Sequence, residues 1–205
     1  MNKLKIGIFG GSFNPIHLGH LIMAQDAGEA YSLDRIIFVP AAIAPHKLTQ
    51  TLVTPSHRLD MIRLALGDRS EWEVSDEEIR RGGVSYTIDT VQHFIAVYPE
   101  ADIYFIIGGD TLPELHTWKD INDLLALCKF ITMVRPGFDP ESLHRQSLRL
   151  PPGHVEALIS RVTVGHVIDL SSTEIRVRVA KNESIRYLVP DSVERYIREH
   201  QLYRK

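Results

Sequence analysis

The sequence has almost no cysteine. Cys128 stands alone among 205 residues, so no disulfide can close within the chain, which fits a reducing compartment. Its setting, Leu127-Cys128-Lys129-Phe130-Ile131, is apolar, and a buried, inert thiol is expected there rather than a nucleophile. Long apolar runs are missing as well. No stretch approaches the roughly 20 residues of a transmembrane helix. The opening Met1-Asn2-Lys3-Leu4-Lys5 leads into a short apolar stretch that runs into Gly10-Gly11. That stretch is too short for the apolar region of a signal peptide and has no small-residue cleavage site. A cytoplasmic location without a membrane partner is therefore expected. Charge of one sign is scarce too: 23 Lys+Arg against 26 Asp+Glu leave a net −3. No basic stripe stands out, so nucleic acid is not an expected partner.

The apolar share of 44% is close to the globular norm of about 45–50%. The length suits one domain with a real core. Residues 1–205 read as a single domain, with a C-terminal helical part from about residue 172. A homodimer is compatible with this composition, but nothing in the sequence specifies one.

Strands and helices alternate. Segments 4–9, 36–39, 103–107, 130–134 and 164–170 read as strands, being β-branched or aromatic and closed by Gly, Pro or polar clusters. Segments 17–30 and 87–97 have helical spacing. Another helix starts at Thr54-Pro55, with Thr54 as cap and Pro55 in its first turn. One more begins at Ser172 and a last one follows Pro190. Segment 137–152 is the least regular. Alternation with near-continuous apolar strands predicts an α/β fold: a doubly wound, mostly parallel, Rossmann-like sheet with helices on both faces. Ligands of such sheets bind beyond the carboxyl ends of the strands.

Two motifs lie at strand-to-helix junctions. The first is Gly10-Gly11-Ser12-Phe13-Asn14-Pro15-Ile16-His17-Leu18-Gly19-His20. Glycines let the backbone approach a ligand, and a helix start offers amides and a positive dipole end to an anion. His17 and His20, three apart, share one face of the first turn and can donate to phosphate oxygens. A tight turn with two surface histidines is the plain alternative. A zinc pair is another, but no third ligand or cysteine cluster supports it. The second motif is Asp169-Leu170-Ser171-Ser172-Thr173-Glu174-Ile175-Arg176. Ser171 with Glu174 is a capping box. That leaves Ser172, Thr173 and Arg176 unexplained, and together they form a second anion-binding helix start. Two such sites on one sheet edge fit a triphosphate better than a lone phosphate.

Three smaller features remain open. Pro45-His46-Lys47 follows the second strand, and a solvated lysine is the ordinary reading. Asp110, after Gly108-Gly109, either caps the next helix or accepts from a ribose. Trp118 is either a core tryptophan or a rim residue that stacks on a planar ring.

The two junction motifs, in this order, resemble the nucleotidylyltransferase superfamily. Pro45-His46-Lys47, Ser85-Tyr86-Thr87, Ile107-Gly108-Gly109-Asp110, Thr117-Trp118, Arg135-Pro136-Gly137 and the tail from Leu188-Val189-Pro190 to Leu202-Tyr203 narrow the resemblance to the bacterial nicotinate mononucleotide adenylyltransferases. It covers essentially the whole chain. Asn14 stands where an Asp is also common, and Gly109 where a bulkier residue occurs.

The resemblance implies a reaction in which ATP and nicotinate mononucleotide give nicotinate adenine dinucleotide and pyrophosphate. It implies Mg²⁺ carried with ATP rather than a protein metal site. Gly10, Gly11, Ser12, Phe13, Gly108, Asp110, Arg135, Ser172 and Thr173 would bind ATP. His17, His20 and Arg176 would be the catalytic groups, and Asp110 would meet the ribose. Tyr86, Thr87 and Trp118 would frame the nicotinate, with His46 and Lys47 near the mononucleotide phosphate. The chemistry is consistent with this set. A phosphate nucleophile is mostly dianionic at neutral pH and needs no general base. The task is to align two polyanions and stabilise the leaving charge. No Arg or Lys stands out beside Tyr86-Thr87 or Thr117-Trp118, so backbone amides near Thr87 are expected to receive the nicotinate carboxylate. Competing readings are a phosphopantetheine adenylyltransferase, a cytidylyltransferase, an amide-preferring adenylyltransferase, a class I aminoacyl-tRNA synthetase and a non-catalytic nucleotide-binding regulator.

Overall fold

The computed structural model describes residues 3–45, 53–134, 148–166 and 168–204. Six strands, β1 (Lys5–Gly11), β2 (Arg35–Pro40), β3 (Trp72–Val74), β4 (Asp102–Gly108), β5 (Lys129–Val134) and β6 (Val162–Val164), form one parallel sheet in the order β3-β2-β1-β4-β5-β6. The helices are α1 (Leu18–Tyr31), α2 (Pro55–Leu66), α3 (Glu77–Arg81), α4 (Thr87–Val97), α5 (Ile121–Leu127), α6 (Pro152–Ile159), α7 (Ser172–Ala180) and α8 (Asp191–Glu199), with a 3-10 helix over Gly109–Thr117. This is the strand order of a Rossmann-like doubly wound sheet. Among the described residues no helix is long and apolar enough to cross a membrane.

Strand side chains alternate between the two faces of a sheet, and here both faces are apolar. Ile36, Phe38, Tyr104, Ile106, Ile131 and Met133 face one buried cluster with α1, α2, α7 and α8. Ile37, Val39, Ile103, Phe105, Ile107 and Phe130 face the other, with α4, α5, α6 and the 3-10 helix. This is why the strands read as unbroken apolar runs rather than as alternating ones.

The strand register opens the site. β1 pairs with β2 as far as Gly11 and Pro40, and β4 pairs with β5 as far as Gly108 and Met133. Yet β1 and β4 part after Ile8 and Phe105. The two central strands therefore diverge at their carboxyl ends, between Phe9–Gly11 on one side and 106–108 on the other. This is the point where the order of winding reverses and where ligands of open α/β sheets bind.

Several sequence expectations need correction. Segment 164–170 is not a strand: β6 ends at Val164. Gly165 turns off after its amide bonds to the Val134 carbonyl at 3.0 Å, and Ile168 and Leu170 become pocket wall. Thr54 precedes α2 but does not cap it through its side chain; its Oγ1 pairs with Ser56 Oγ at 2.9 Å. The described part of 137–152, from Leu148 on, includes fully buried Leu148 and leads into α6. Cys128 is buried, and burial pushes its thiol up to about 12, as an inert thiol should be.

Candidate active site

The diverging strands open onto a pocket of about 750 Å³. Its walls include Gly10, Ser12, Phe13, His17 and His20 from the first junction, Gly108 and Asp110 from the end of β4, and Ser172, Thr173 and Arg176 from the second junction. The structure thus gathers ten of the sequence-predicted residues around one cavity.

The 10–15 turn organises the pocket. Gly10 passes so close to Phe105 that a Cβ there would lie 3.1 Å from its ring. Phe13 takes a left-handed φ of 45°, which is costly for a bulky residue. That conformation buries its ring, 1% exposed, edge-on to His20 at 5.1 Å between centroids and to Phe9 at 5.5 Å. Gly11 differs from its expected role. It does not line the pocket; a Cβ on it would meet the Phe13 ring at 3.1–3.3 Å, and its carbonyl accepts the Ala41 amide at 2.9 Å. Gly11 makes room for Phe13 and fastens the next loop.

At the start of α1, His17 and His20 stack with centroids 3.6 Å apart. The His17 amide donates to His20 Nδ1 at 3.2 Å. This bond makes Nδ1 the acceptor of a neutral His20 and leaves the ring proton on Nε2. His17 is 6% exposed, and desolvation lowers its pKa to about 4, so its imidazole is neutral at pH 7. Its Nδ1 is buried with no hydrogen-bond partner among the described residues. The helix start is less open than the sequence suggested. The Leu18 amide donates to the Leu188 carbonyl at 3.0 Å and the His20 amide to the His17 carbonyl at 3.0 Å. Side chains rather than a full set of bare amides face the pocket here.

α7 is bolted to the same turn. Ser172 Oγ donates to the Pro15 carbonyl at 2.8 Å, and Arg176 donates through Nη1 to the Asn14 carbonyl at 2.9 Å and through Nη2 to Thr173 Oγ1 at 3.1 Å. Half of the expected capping box is present: the Glu174 amide donates to Ser171 Oγ at 3.1 Å, without a return bond from the Ser171 amide to the Glu174 side chain among the described residues. Asn14 is a structural hub rather than a weakened acid. It is 2% exposed, and its Oδ1 accepts from Tyr203 Oη at 2.9 Å and from the Val53 amide at 3.3 Å. Two helix starts and the C-terminal tail therefore converge on one turn.

Asp110 is exposed at the end of β4 and makes no side-chain cap to the 3-10 helix. Its Oδ1 occupies the space over Gly108, 2.5 Å from where a Cβ would be. Gly109 is packed as tightly, with Val134 Cγ1 2.7 Å from its Cβ position, so this chain leaves no space there for a bulkier side chain.

Tyr86, Thr87 and Trp118 do not line this pocket. Tyr86 and Thr87 open α4 next to Ser85, which is tied to the 41–45 loop after β2: the Ala42 amide donates to Ser85 Oγ at 2.9 Å and the Ser85 amide to the Ile43 carbonyl at 2.9 Å. Trp118 is half-buried, edge-on to Phe105 at 6.0 Å and tilted on Phe130 at 6.2 Å. It shares features of both sequence readings, a ring that touches the core without being enclosed by it. The expectation that no cation stands beside this group is overturned: Lys119 Nζ lies 4.7 Å above the Tyr86 ring and 3.3 Å from Asp89 Oδ1. His46, Lys47 and Arg135 fall outside the described residues.

One further residue was not anticipated. Arg58 of α2 is 1% exposed. Its Nη1 donates to the Ser12 carbonyl at 3.0 Å and its Nη2 to the Ala42 carbonyl at 3.4 Å. Burial lowers its pKa, against the opposing influence of Tyr203 and Glu78. Among the described residues no carboxylate comes within ion-pair distance of it. Only the spacing Arg58-Leu59-Asp60-Met61-Ile62 hinted that its position lies on the apolar side of α2.

A family model described as cytidylyltransferase-like matches residues 8–178. The chain belongs to that family, whose name fits a switch-point pocket rimmed by phosphate-type donors. Within it, the chain is 46% identical over 202 residues to the protein of Opitutus terrae named probable nicotinate-nucleotide adenylyltransferase, with 98% of each chain covered. It is 40% identical over 205 residues to the protein of the same name from Desulfitobacterium hafniense, covering 98% of this chain and 96% of that one. It therefore belongs with the bacterial relatives that carry that name. The structure is similar in fold to Plasmodium falciparum nicotinic acid mononucleotide adenylyltransferase complexed with NaAD, at a TM-score of 0.73 and 19% identity, covering 98% and 97% of the two chains.

Proposed function

We propose that this chain transfers the adenylyl group of ATP to nicotinate mononucleotide, forming nicotinate adenine dinucleotide and releasing pyrophosphate, a step of NAD biosynthesis. The observation that carries this reading is the fastening of two helix starts, α1 and α7, to one turn at the mouth of the divided sheet. His17, His20, Ser172, Thr173 and Arg176 then share a single cavity with Gly108 and Asp110. The names carried by relatives at 40–46% identity support the same activity.

The step is a direct displacement. An oxygen of the mononucleotide phosphate attacks the α-phosphorus of ATP, the bond to the bridging oxygen breaks, and pyrophosphate leaves with that electron pair. The dianionic phosphate is nucleophile enough near neutral pH. The chain's own groups position and stabilise. His20 points a donor at phosphate oxygen, because its Nδ1 is already occupied by the His17 amide. His17, neutral by burial, contributes a polar ring rather than a charge. Arg176, Thr173 and the backbone amide of Ser172 hold the departing phosphates at the start of α7, since the Ser172 hydroxyl proton is given to the Pro15 carbonyl. Asp110 accepts from the ribose. These imidazole, hydroxyl and guanidinium groups match phosphate oxygens rather than a cation, so Mg²⁺ fits as a companion of the triphosphate, where it would neutralise phosphate charge.

The mononucleotide lies on the Tyr86–Thr87 and Trp118 side, with the pyridine ring against Trp118, and His46 and Lys47 serve its phosphate. The nicotinate carboxylate meets the first amides of α4, with the Lys119 charge beside them. A cytoplasmic location belongs to the same reading, since a lone buried thiol suits a reducing compartment. The experiment is to mix the protein with Mg²⁺, ATP and nicotinate mononucleotide. Pyrophosphate and dinucleotide should appear in equal amounts. Absence of both, or a nucleotidylated protein in a single turnover, would remove this reading.

A further inference from the structure

The pocket has two ends of different chemistry. The end at α1 and α7 starts is lined by imidazole, hydroxyl and guanidinium groups. The other end is walled by Ile22, Met23, Met133 and Val134 and closed by an acid and an imidazole, Asp26 and His166. Asp26 lies six residues beyond His20 on α1, about 9 Å further along the helix axis. Apolar, flexible walls at that distance from a phosphate site suit a planar base.

Asp26 makes two contacts across the pocket rim. Its Oδ2 accepts the His166 amide at 2.8 Å and its Oδ1 pairs with His166 Nδ1 at 2.8 Å. The side chains differ in exposure, 11% for Asp26 and 76% for His166. The carboxylate is therefore packed in the wall and the imidazole projects from it. The intervening backbone is pressed close: a Cβ on Gly165 would lie 2.8 Å from Asp26 Oδ2 and 3.1 Å from Met133 Cε. A carboxylate on Nδ1 draws the ring proton to that nitrogen and turns Nε2 into an acceptor. None of these bonds is needed to close the sheet, since β6 has already ended at Val164.

We propose that Asp26 is the positioning residue of the base-binding end, and that it acts by presenting His166 Nε2 to a donor on the base of the nucleoside triphosphate, the exocyclic amine of adenine. This deepens the adenylyltransferase reading and rests on it. Asp26 touches no reacting atom; it fixes the wall and the tautomer. Bases with a carbonyl at that position set an acceptor against an acceptor, so the same contact selects ATP over GTP or ITP.

The test uses Asp26→Ala, His166→Ala and the double variant. Affinity for ATP is read by calorimetry without the mononucleotide, and KM for each substrate and kcat are read in the full reaction. Each single variant should weaken ATP about tenfold, the upper end for one hydrogen bond between neutral groups. The KM for the mononucleotide and kcat should stay within about twofold. The double variant should be no worse than either single one, because Asp26 acts through His166, and His166→Ala should narrow the preference for ATP over ITP. Unchanged ATP affinity, equal losses for both substrates, or additive losses would overturn the proposal. Should Asp26→Ala not fold, exposed His166 decides alone, through ATP affinity and the ATP-to-ITP ratio. Wild-type protein that binds ATP but makes no dinucleotide would refute the proposed function, while the ATP affinities still decide this inference.

Discussion

At the scale of the residue, the account turns on two stacked histidines with different tasks. His20 is the proposed donor to phosphate, and His17 is buried and neutral. His20→Ala should lower kcat by about 10²–10³-fold, as for loss of one charge-stabilising donor, with the fold intact by circular dichroism. Normal turnover would remove the phosphate contact. His17 also leaves a mark on stability. Burial holds its pKa at about 4 against an ordinary 6.5. The unfolded chain therefore takes up a proton below pH 6.5, which the folded chain resists until about pH 4. The contribution of His17 is whole above pH 6.5 and is lost as the pH falls towards 4, amounting to about 3 kcal/mol. Urea denaturation at pH 7 and pH 4.5 should show a decline that is reduced in His17→Asn. An equal decline in both proteins would contradict the burial argument.

At the scale of the element, the turn, α2 and the 41–45 loop act as one piece because Arg58 bonds carbonyls of both the turn and the loop. A lysine cannot bridge two carbonyls as a planar guanidinium does. Arg58→Lys should cost about 1–3 kcal/mol of stability and raise the KM for both substrates, since it loosens both walls. Wild-type denaturation and kinetics would show that the burial of Arg58 is incidental. The sequence carried α4 over 87–97 without error because Ile88, Val91 and Ile95 repeat at helical spacing and Pro and Gly bound the neighbouring strands. It carried the two junctions because Gly, His and hydroxyl residues cluster where strands end. It misread 164–170, since a pocket wall built of Ile168 and Leu170 has the same apolar pattern as a strand. It passed over β3, whose three residues are too few to show a period. The contacts of Arg58, Lys119 and the Asp26–His166 pair were not legible for another reason: their partners lie far away in sequence, up to 140 residues for Asp26 and His166, and only the fold sets which groups meet.

At the scale of the whole molecule, we propose that residues 1–205 fold as one unit. The C-terminal helices α7 and α8 share a buried cluster with α1 and α2, and Tyr203 near the end of the chain reaches Asn14 in the first turn. In the proposed reaction the two substrates lie on either side of the β1–β4 division, ATP against the histidines and α7, the mononucleotide against α4 and Trp118. The central claim is that the second of these is the acid, nicotinate mononucleotide. The α4 amides and Lys119 match a carboxylate and oppose the NH₂ of an amide. Loss of a charge-assisted bond and the mismatched NH₂ should together cost roughly 2–4 kcal/mol, about 30- to 1000-fold in kcat/KM. The measurement is kcat/KM for pyrophosphate release with nicotinate mononucleotide and with nicotinamide mononucleotide, at one pH and one concentration of Mg²⁺ and ATP. The account predicts a preference for the acid within that range. A ratio near unity, or a preference for the amide, would contradict it.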